Sequence, residues 1–126
     1  MPISVQWEDG GVLATIAGKL TLGDYHTALK IAWLDHRYNS VRYIILDAKN
    51  QKIGSALSKW ELEALAFFAK GVFKEMKFAV AVVVNPANHA SVSAAECYNK
   101  IAVHPHAIFM DMAEARNWVQ TYLEKQ

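Results

Sequence analysis

Two apolar segments in the middle of the chain set the pattern for the rest. The run V-R-Y-I-I-L-D-A at residues 41–48 is continuous and rich in β-branched and aromatic residues, which is typical of a strand covered on both faces. After a short polar connection, residues 55–73 (S-A-L-S-K-W-E-L-E-A-L-A-F-F-A-K-G-V-F) have helical periodicity. A strand followed by a helix is the building block of a parallel sheet.

Two strands and a helix are predicted before this unit. Residues 3–8 alternate between apolar and polar side chains, and Asp9-Gly10-Gly11 is typical of a hairpin turn into the return strand V-L-A-T-I-A-G. A helix should then begin near Asp24, which is a favourable N-cap residue.

Four more elements are predicted after it. K-F-A-V-A-V-V-V-N indicates another buried strand, and S-V-S-A-A-E-C-Y-N-K-I-A indicates a small-residue helix capped by Ser91 or Ser93. Residues 107–110 should form a short edge strand, and an amphipathic helix should start at Asp111. The predicted order is ββαβαβαβα over residues 1–126, which is a single α/β domain with a mixed sheet of four or five strands.

The helix predicted at residues 55–73 is more apolar than a helix that merely covers a sheet. An ordinary surface helix needs an apolar stripe of a little over ~100°, whereas here the apolar arc extends past half of the circumference. Three interpretations remain open: the helix is simply core, it closes over a cavity for an apolar ligand, or its aromatic face and neighbouring lysines lie on a membrane surface. A fourth makes the same arc a dimer or partner interface.

Composition excludes several classes of protein. A formal charge of +1 and the lack of a Lys/Arg-rich block argue against a nucleic-acid partner. A single cysteine, Cys97, cannot form an internal disulfide, which favours a reducing compartment. The N-terminal residues have no signal-peptide pattern, and no apolar run reaches the ~20 residues that span a membrane. We therefore expect a cytoplasmic protein whose membrane contact, if it has any, is peripheral at the inner membrane surface.

Candidates for chemistry are weak. His104 and His106 flank a proline, but no third metal ligand has a diagnostic spacing, and a solvent-facing loop explains them better. Asp47 ends a buried strand without a partner for acid–base catalysis. Cys97 and His89 have no activating neighbour, so a packed structural cysteine is favoured. We expect no catalytic residue, no metal and no cofactor.

The chain resembles a known family in two segments, G-K-L-T-L-G-D-Y (residues 18–25) and A-E-A-R-N-W-V (residues 113–119). With the order of elements, these resemble the SpoIIAA-like family, whose fold is that of the STAS domain of anti-sigma-factor antagonists. The resemblance implies a sheet with helices mainly on one face. It also implies a similarity in shape to lipid-carrying CRAL-TRIO domains, hence an apolar pocket and peripheral membrane association.

True antagonists carry an Asp-Ser-Ser-Gly-like segment with a phosphorylated serine at the start of the matching helix. The segment here reads K-I-G-S-A-L-S, in which Ser55 is the candidate for phosphorylation and also suits an N-cap. A phosphorylation-switched, STAS-type protein–protein regulatory module is therefore the alternative function.

Our main prediction is a non-catalytic binding protein for a hydrophobic or lipid-like small molecule. The helix at residues 55–73 and the small-residue helix would cover the pocket, and a homodimer is expected. The residues predicted to contact the ligand or a membrane are Trp60, Leu62, Phe67, Phe68, Phe73 and Tyr98.

Overall fold

Alternating and continuous apolar segments form one five-stranded sheet in the part of the chain that is described. The structure is a computed structural model that describes residues 3–72 and 78–125; at residues 29, 31–34, 38 and 72 it describes the backbone alone. The strands are β1 Ile3–Glu8, β2 Gly11–Gly18, β3 Tyr43–Gln51, β4 Ala79–Val83 and β5 His106–Phe109. The helices are α1 Leu22–Leu34, α2 Lys59–Val72, α3 His89–Ile101 and α4 Met112–Glu124, with a short 3₁₀ helix at His36–Ser40.

The predicted fold class is confirmed. The elements follow the order ββαβαβαβα, and the strands lie in the order β1-β2-β3-β4-β5. β1 is antiparallel to β2, while each later neighbouring pair is parallel, so the sheet is mixed. Each parallel connection runs through a helix, as parallel neighbours require.

Side-chain alternation gives the sheet two faces of different character. On one face, Ala115 and Val119 of α4 are buried against Tyr43, Ile45 and the facing residues of β4. The other face carries α1, α2 and α3, and its strand residues include Val12, Ala14, Leu46 and Val80. Three of the four described helices therefore lie on one face.

An ion pair ties α4 to the first hairpin. The Arg116 guanidinium donates to both carboxylate oxygens of Glu8 at 2.6 and 2.7 Å, and the Tyr43 hydroxyl donates to Glu8 Oε1 at 2.5 Å. These hydrogen bonds, first of all those from Arg116, hold the pKa of Glu8 below its ordinary value. The Tyr43 ring crosses β2 at Gly11, where a Cβ atom would lie 2.2 Å from the ring, so this position has to be glycine.

Three helix starts differ from their predictions, and each has a local cause. α1 begins at Leu22, because Thr21 and Asp24 exchange hydrogen bonds between side chain and backbone; Asp24 is the third helical residue and not the cap. The predicted helix at residues 55–73 begins at Lys59, because Ser58 and Glu61 form the same reciprocal pair. The prediction that Ser55 caps this helix is therefore wrong.

The start of α3 was also assigned to the wrong residue. Asn88, rather than Ser91 or Ser93, is the N-cap. The N-cap assigned to Asp111 is confirmed, since its side chain accepts from the Ala113 backbone N–H at 3.2 Å. Sequence propensity identifies residue types that cap helices, but it does not select among several of them.

The Asn88 side chain is fully buried and joins the segment before α2 to the start of α3. Its Oδ1 accepts from the backbone N–H groups of Ser91 and Gly54, both at 3.3 Å. Its Nδ2 donates to the backbone carbonyls of Gln51 at 3.4 Å and Lys52 at 3.2 Å. Both lone pairs of the amide oxygen and both N–H groups are therefore used. This single side chain therefore fixes where the chain leaves β3.

We expect Asn88→Ala to lower the free energy of unfolding by about 2–3 kcal/mol, because a helix cap is lost and several backbone groups lose their partner. Urea denaturation measures this difference. The matched control is Asn85→Ala, which removes a local hydrogen bond to the Ala87 backbone N–H and should cost less than about 1 kcal/mol. Equal losses in the two variants would contradict the central position given to Asn88.

Candidate functional site

A cavity lies between α2 and the sheet. In its backbone contacts α2 packs mainly on α3 and α1, and it therefore stands away from the strands. Its inward side chains, which include Leu62, Leu65 and Ala69, form the roof, and the face of the sheet that carries Val12 and Val80 forms the floor. The cavity volume is about 180 Å³.

The wall of the cavity is almost entirely apolar. α3 contributes the small side chains Ala94 and Ala95, and α1 contributes Ala28. These alanines leave space that larger residues would fill. Among the described residues, no Asp, Glu, Lys or Arg lines the cavity. Such a space suits an apolar molecule and disfavours a charged one.

A cluster of polar rings forms part of the wall, where α3 ends and β5 begins. The Tyr98 hydroxyl lies 3.2 Å from Nε2 of His104, and Nδ1 of His106 lies 2.8 Å from Oδ1 of Asn99. The His104 ring stacks on Phe78 with 5.1 Å between ring centroids, and the Tyr98 and His106 rings are 5.0 Å apart. The two histidines are thus held in fixed orientations.

Burial keeps these groups neutral. Loss of hydration lowers the pKa of His106 to about 4, and the neighbouring His104 adds a smaller repulsive contribution. Burial likewise lowers the pKa of His104 and raises the pKa of Tyr98 to about 12. At neutral pH the cluster therefore offers hydrogen bonds and no net charge.

Further polar side chains line the cavity elsewhere. The Ser91 hydroxyl donates to Oε1 of Gln51 at 3.0 Å, where β3 ends and α3 begins. Tyr25 of α1 packs on the apolar cluster around Ile16 and Leu20, and burial raises the pKa of its hydroxyl. Tyr25 and Tyr98 line the same cavity.

The predicted contact residues occupy different surfaces. Leu62 and Tyr98 line the cavity. Phe68 is half-buried, and its ring packs on His26 of α1 at a centroid distance of 4.7 Å. Trp60 and Phe67 point outward and are 68% and 81% exposed. Phe73 lies outside the described residues. Binding of a ligand or a membrane by these residues stays a prediction.

Ser55 lies in the connection between β3 and α2, four positions before the first helical residue. It is half-buried, and its backbone N–H donates to the Lys52 carbonyl at 3.0 Å. A phosphate on this serine would therefore lie away from the backbone N–H groups that open α2. Its phosphorylation stays a prediction.

The histidines at positions 104 and 106 were assigned to a solvent-facing loop, and that assignment is wrong. Both side chains are half-buried and line the cavity. The strand alternation of β5 contained the necessary information, because His106 pairs with Val80 and shares its face of the sheet. Because β5 was predicted to begin one residue later, His106 fell outside the pattern.

The other chemical candidates do not form a site. Nowhere in residues 3–72 and 78–125 do three or more His, Cys, Asp or Glu side chains form a group that could hold a metal ion. The Asp47 carboxylate accepts from the Lys49 backbone N–H, His89 is exposed, and Cys97 is a free, half-buried thiol. No helix in the same described part is long and apolar enough to cross a membrane.

Comparison with known proteins identifies the architecture. No family model and no curated protein matches the chain. An uncharacterized protein of the DUF3478 family from Shewanella loihica PV-4, described as having a SpoIIAA-like fold, superposes with a TM-score of 0.58 and 19% sequence identity. The match covers 93% of this chain and 91% of the other. The chain has a SpoIIAA-like fold. At this identity the likeness concerns the fold alone.

We expect stability to fall when the pH drops from about 7 to about 5, by about 1–2 kcal/mol from His106. Its pKa is lower in the folded state than the ordinary 6.5. The unfolded chain therefore binds the extra proton, and the stability present above about pH 6.5 is lost toward the folded pKa. Urea denaturation at both pH values should show a smaller loss for His106→Asn, because an amide does not titrate.

The control for this measurement is His36→Asn, since the His36 side chain is 94% exposed. It should keep the pH dependence of the unmodified protein. If His106→Asn also keeps the full dependence, burial of His106 does not govern it.

Proposed function

We propose that this protein binds a hydrophobic or lipid-like small molecule in the cavity beneath α2, and that it does so without catalysis. The observation that most supports this is the wall, in which apolar strand and helix residues surround the space and no described side chain is charged. Removing apolar surface from water is the main favourable contribution to such binding. The neutral ring cluster of Tyr98, His104 and His106 supplies a few fixed polar atoms.

The size of the cavity limits the ligand. A volume of about 180 Å³ compares with roughly 150 Å³ for an engineered cavity that holds benzene. One substituted aromatic ring or a short alkyl chain therefore fits. A longer lipid-like chain requires α2 to move away from the sheet, and the packing of α2 mainly on α3 and α1 favours such a movement.

The outer face of α2 supports a second role, contact with a membrane surface. Trp60 and Phe67 are two helical turns apart and share one exposed side, and Lys59 and Lys70 are exposed beside them. Aromatic side chains flanked by lysines are typical of helices that lie at a membrane interface. A ligand beneath the helix would then have a short route to the bilayer. A cytoplasmic location at the inner membrane surface is part of this proposal.

The regulatory alternative takes second place. In that function the exposed Trp60 and Phe67 would form a dimer or partner interface, and phosphorylation of Ser55 would switch it. The position of Ser55, four residues before α2, keeps a phosphate away from the N-terminus of that helix. The exposed aromatic pair fits a protein interface as well as a membrane, and vesicle binding and oligomeric state distinguish the two.

Filling the cavity should abolish binding of an apolar probe. Ala94→Phe places an aromatic ring in the space, and we expect the affinity for ethylbenzene, measured by calorimetry, to fall at least about tenfold. The matched control is Ser93→Phe, which adds the same ring at an exposed position of the same helix and should bind as the unmodified protein does. An Ala94→Phe variant with unchanged affinity would show that the probe binds elsewhere.

Removing the exposed aromatic pair should affect membrane contact and leave the fold intact. For Trp60→Ala with Phe67→Ala we expect loss of co-sedimentation with vesicles that contain anionic lipid. Each substitution should change the free energy of unfolding by less than about 0.5 kcal/mol, because both side chains are exposed. Met110→Ala, at an exposed apolar residue outside α2, is the control and should keep vesicle binding.

An unmodified protein that ignores vesicles contradicts the membrane role. If it forms a dimer that the double variant abolishes, the same face is a protein interface instead. Sedimentation equilibrium of both proteins gives this second result directly.

A further inference from the structure

The hydrogen-bond directions in the ring cluster follow from one carbonyl. Nδ1 of His104 lies 3.2 Å from the Pro105 carbonyl oxygen, which can only accept, so Nδ1 bears the hydrogen. In the neutral ring Nε2 is then an acceptor, and the Tyr98 hydroxyl donates to it at 3.2 Å. The Tyr98 oxygen has used its only hydrogen. Its remaining capacity toward the cavity is to accept.

The same reasoning applies to His106. Its Nδ1 lies 2.8 Å from Oδ1 of Asn99, an amide oxygen that accepts, so Nδ1 bears the hydrogen. Nε2 of the neutral ring is left with a lone pair, and no described residue donates to it. Tyr98 and His106, which both line the cavity, therefore each retain an acceptor.

Tyr25 supplies the complementary group. Its side chain lines the cavity, and no group within residues 3–72 and 78–125 forms a hydrogen bond with its hydroxyl. The Tyr25 ring packs on an apolar cluster, and Tyr98 lines the same cavity. Because it retains its hydrogen, Tyr25 can donate to a group bound between the two tyrosines.

These three groups select the polar part of a ligand. We infer that the cavity takes an uncharged amphiphilic molecule whose head group both donates and accepts hydrogen bonds, with a hydroxyl as the smallest such group. The head group would donate to the Tyr98 oxygen or to His106 Nε2 and accept from the Tyr25 hydroxyl, while its apolar body fills the space under Leu62 and Leu65. A carboxylate can only accept, and no cation in the described wall of the cavity would balance its charge.

This inference rests on the proposed function, because it describes the ligand of the same cavity. Three probes of nearly equal size separate the two claims: ethylbenzene, benzyl alcohol and benzoate. Calorimetric titration at neutral pH measures each dissociation constant. We expect benzyl alcohol to bind at least about tenfold more tightly than benzoate.

The decisive quantity is the ratio of the dissociation constants of benzyl alcohol and ethylbenzene. In Tyr25→Phe and in Tyr98→Phe the ratio should rise about three- to tenfold, because each substitution removes one hydrogen-bonding hydroxyl and leaves the ring in place. Ethylbenzene affinity should remain unchanged, which shows that the variants fold and that the cavity persists. Tyr122→Phe, on α4 across the sheet, is the matched control and should leave the ratio unaltered.

The possible failures are distinguishable. The inference about the head group is overturned if benzoate binds as tightly as benzyl alcohol. It is also overturned if the ratio of the benzyl alcohol and ethylbenzene dissociation constants is unchanged in both cavity variants. In either case, binding of ethylbenzene leaves the proposed function intact. If neither ethylbenzene nor benzyl alcohol binds, the proposed function fails, and the inference fails with it.

Discussion

The buried amide of Asn88 is the constraint on which the upper layer of the molecule depends. It caps α3 and at the same time holds three backbone groups of the segment that leads from β3 to α2. Since α2 packs mainly on α3 and α1, its position is set by this loop and by its helical neighbours. Among its described side chains, Ala69 shares a buried cluster with the strand residue Val12, whereas Leu62 and Leu65 line the cavity. A space between helix and strands is the direct consequence.

The two faces of the sheet differ in how closely the helices pack on them. On the α4 side, Ala115 and Val119 approach the strands closely, and the ion pair of Arg116 with Glu8 fixes the helix from its polar side. On the opposite side Ala94 and Ala95 are too small to fill the gap beneath α2. Close packing is the rule in protein interiors. One face of the sheet is closely packed, whereas the other has a gap lined by apolar residues. This difference supports the proposal that the gap holds a ligand.

Sequence patterns predicted the strands and their order because those depend on burial, which repeats at fixed intervals along the chain. They failed at the caps of α1, α2 and α3, where several suitable residues compete and only tertiary contacts decide. Ser58 caps α2 because Glu61 lies three residues later, which is a local pattern that could have been recognised. The capping bond between Asn88 and Ser91 is local as well, but the other partners of Asn88 are more than thirty residues away in the chain and no local pattern contains them. The cavity depends on the distance between α2 and the sheet, which no pattern of side chains encodes.

One helix carries both surfaces for which we propose a function. Leu62 and Leu65 face the cavity, while Trp60 and Phe67 face outward from the same turns of α2. This explains why the apolar arc of the helix exceeds what a sheet requires: the inner half is buried against the cavity and the outer half meets solvent in the isolated chain. Any displacement of α2 that enlarges the cavity also moves the outer aromatic pair. Occupancy of the cavity and contact at the outer face are therefore mechanically linked, and energetic coupling between them requires only that one of the two favours a shifted position of the helix.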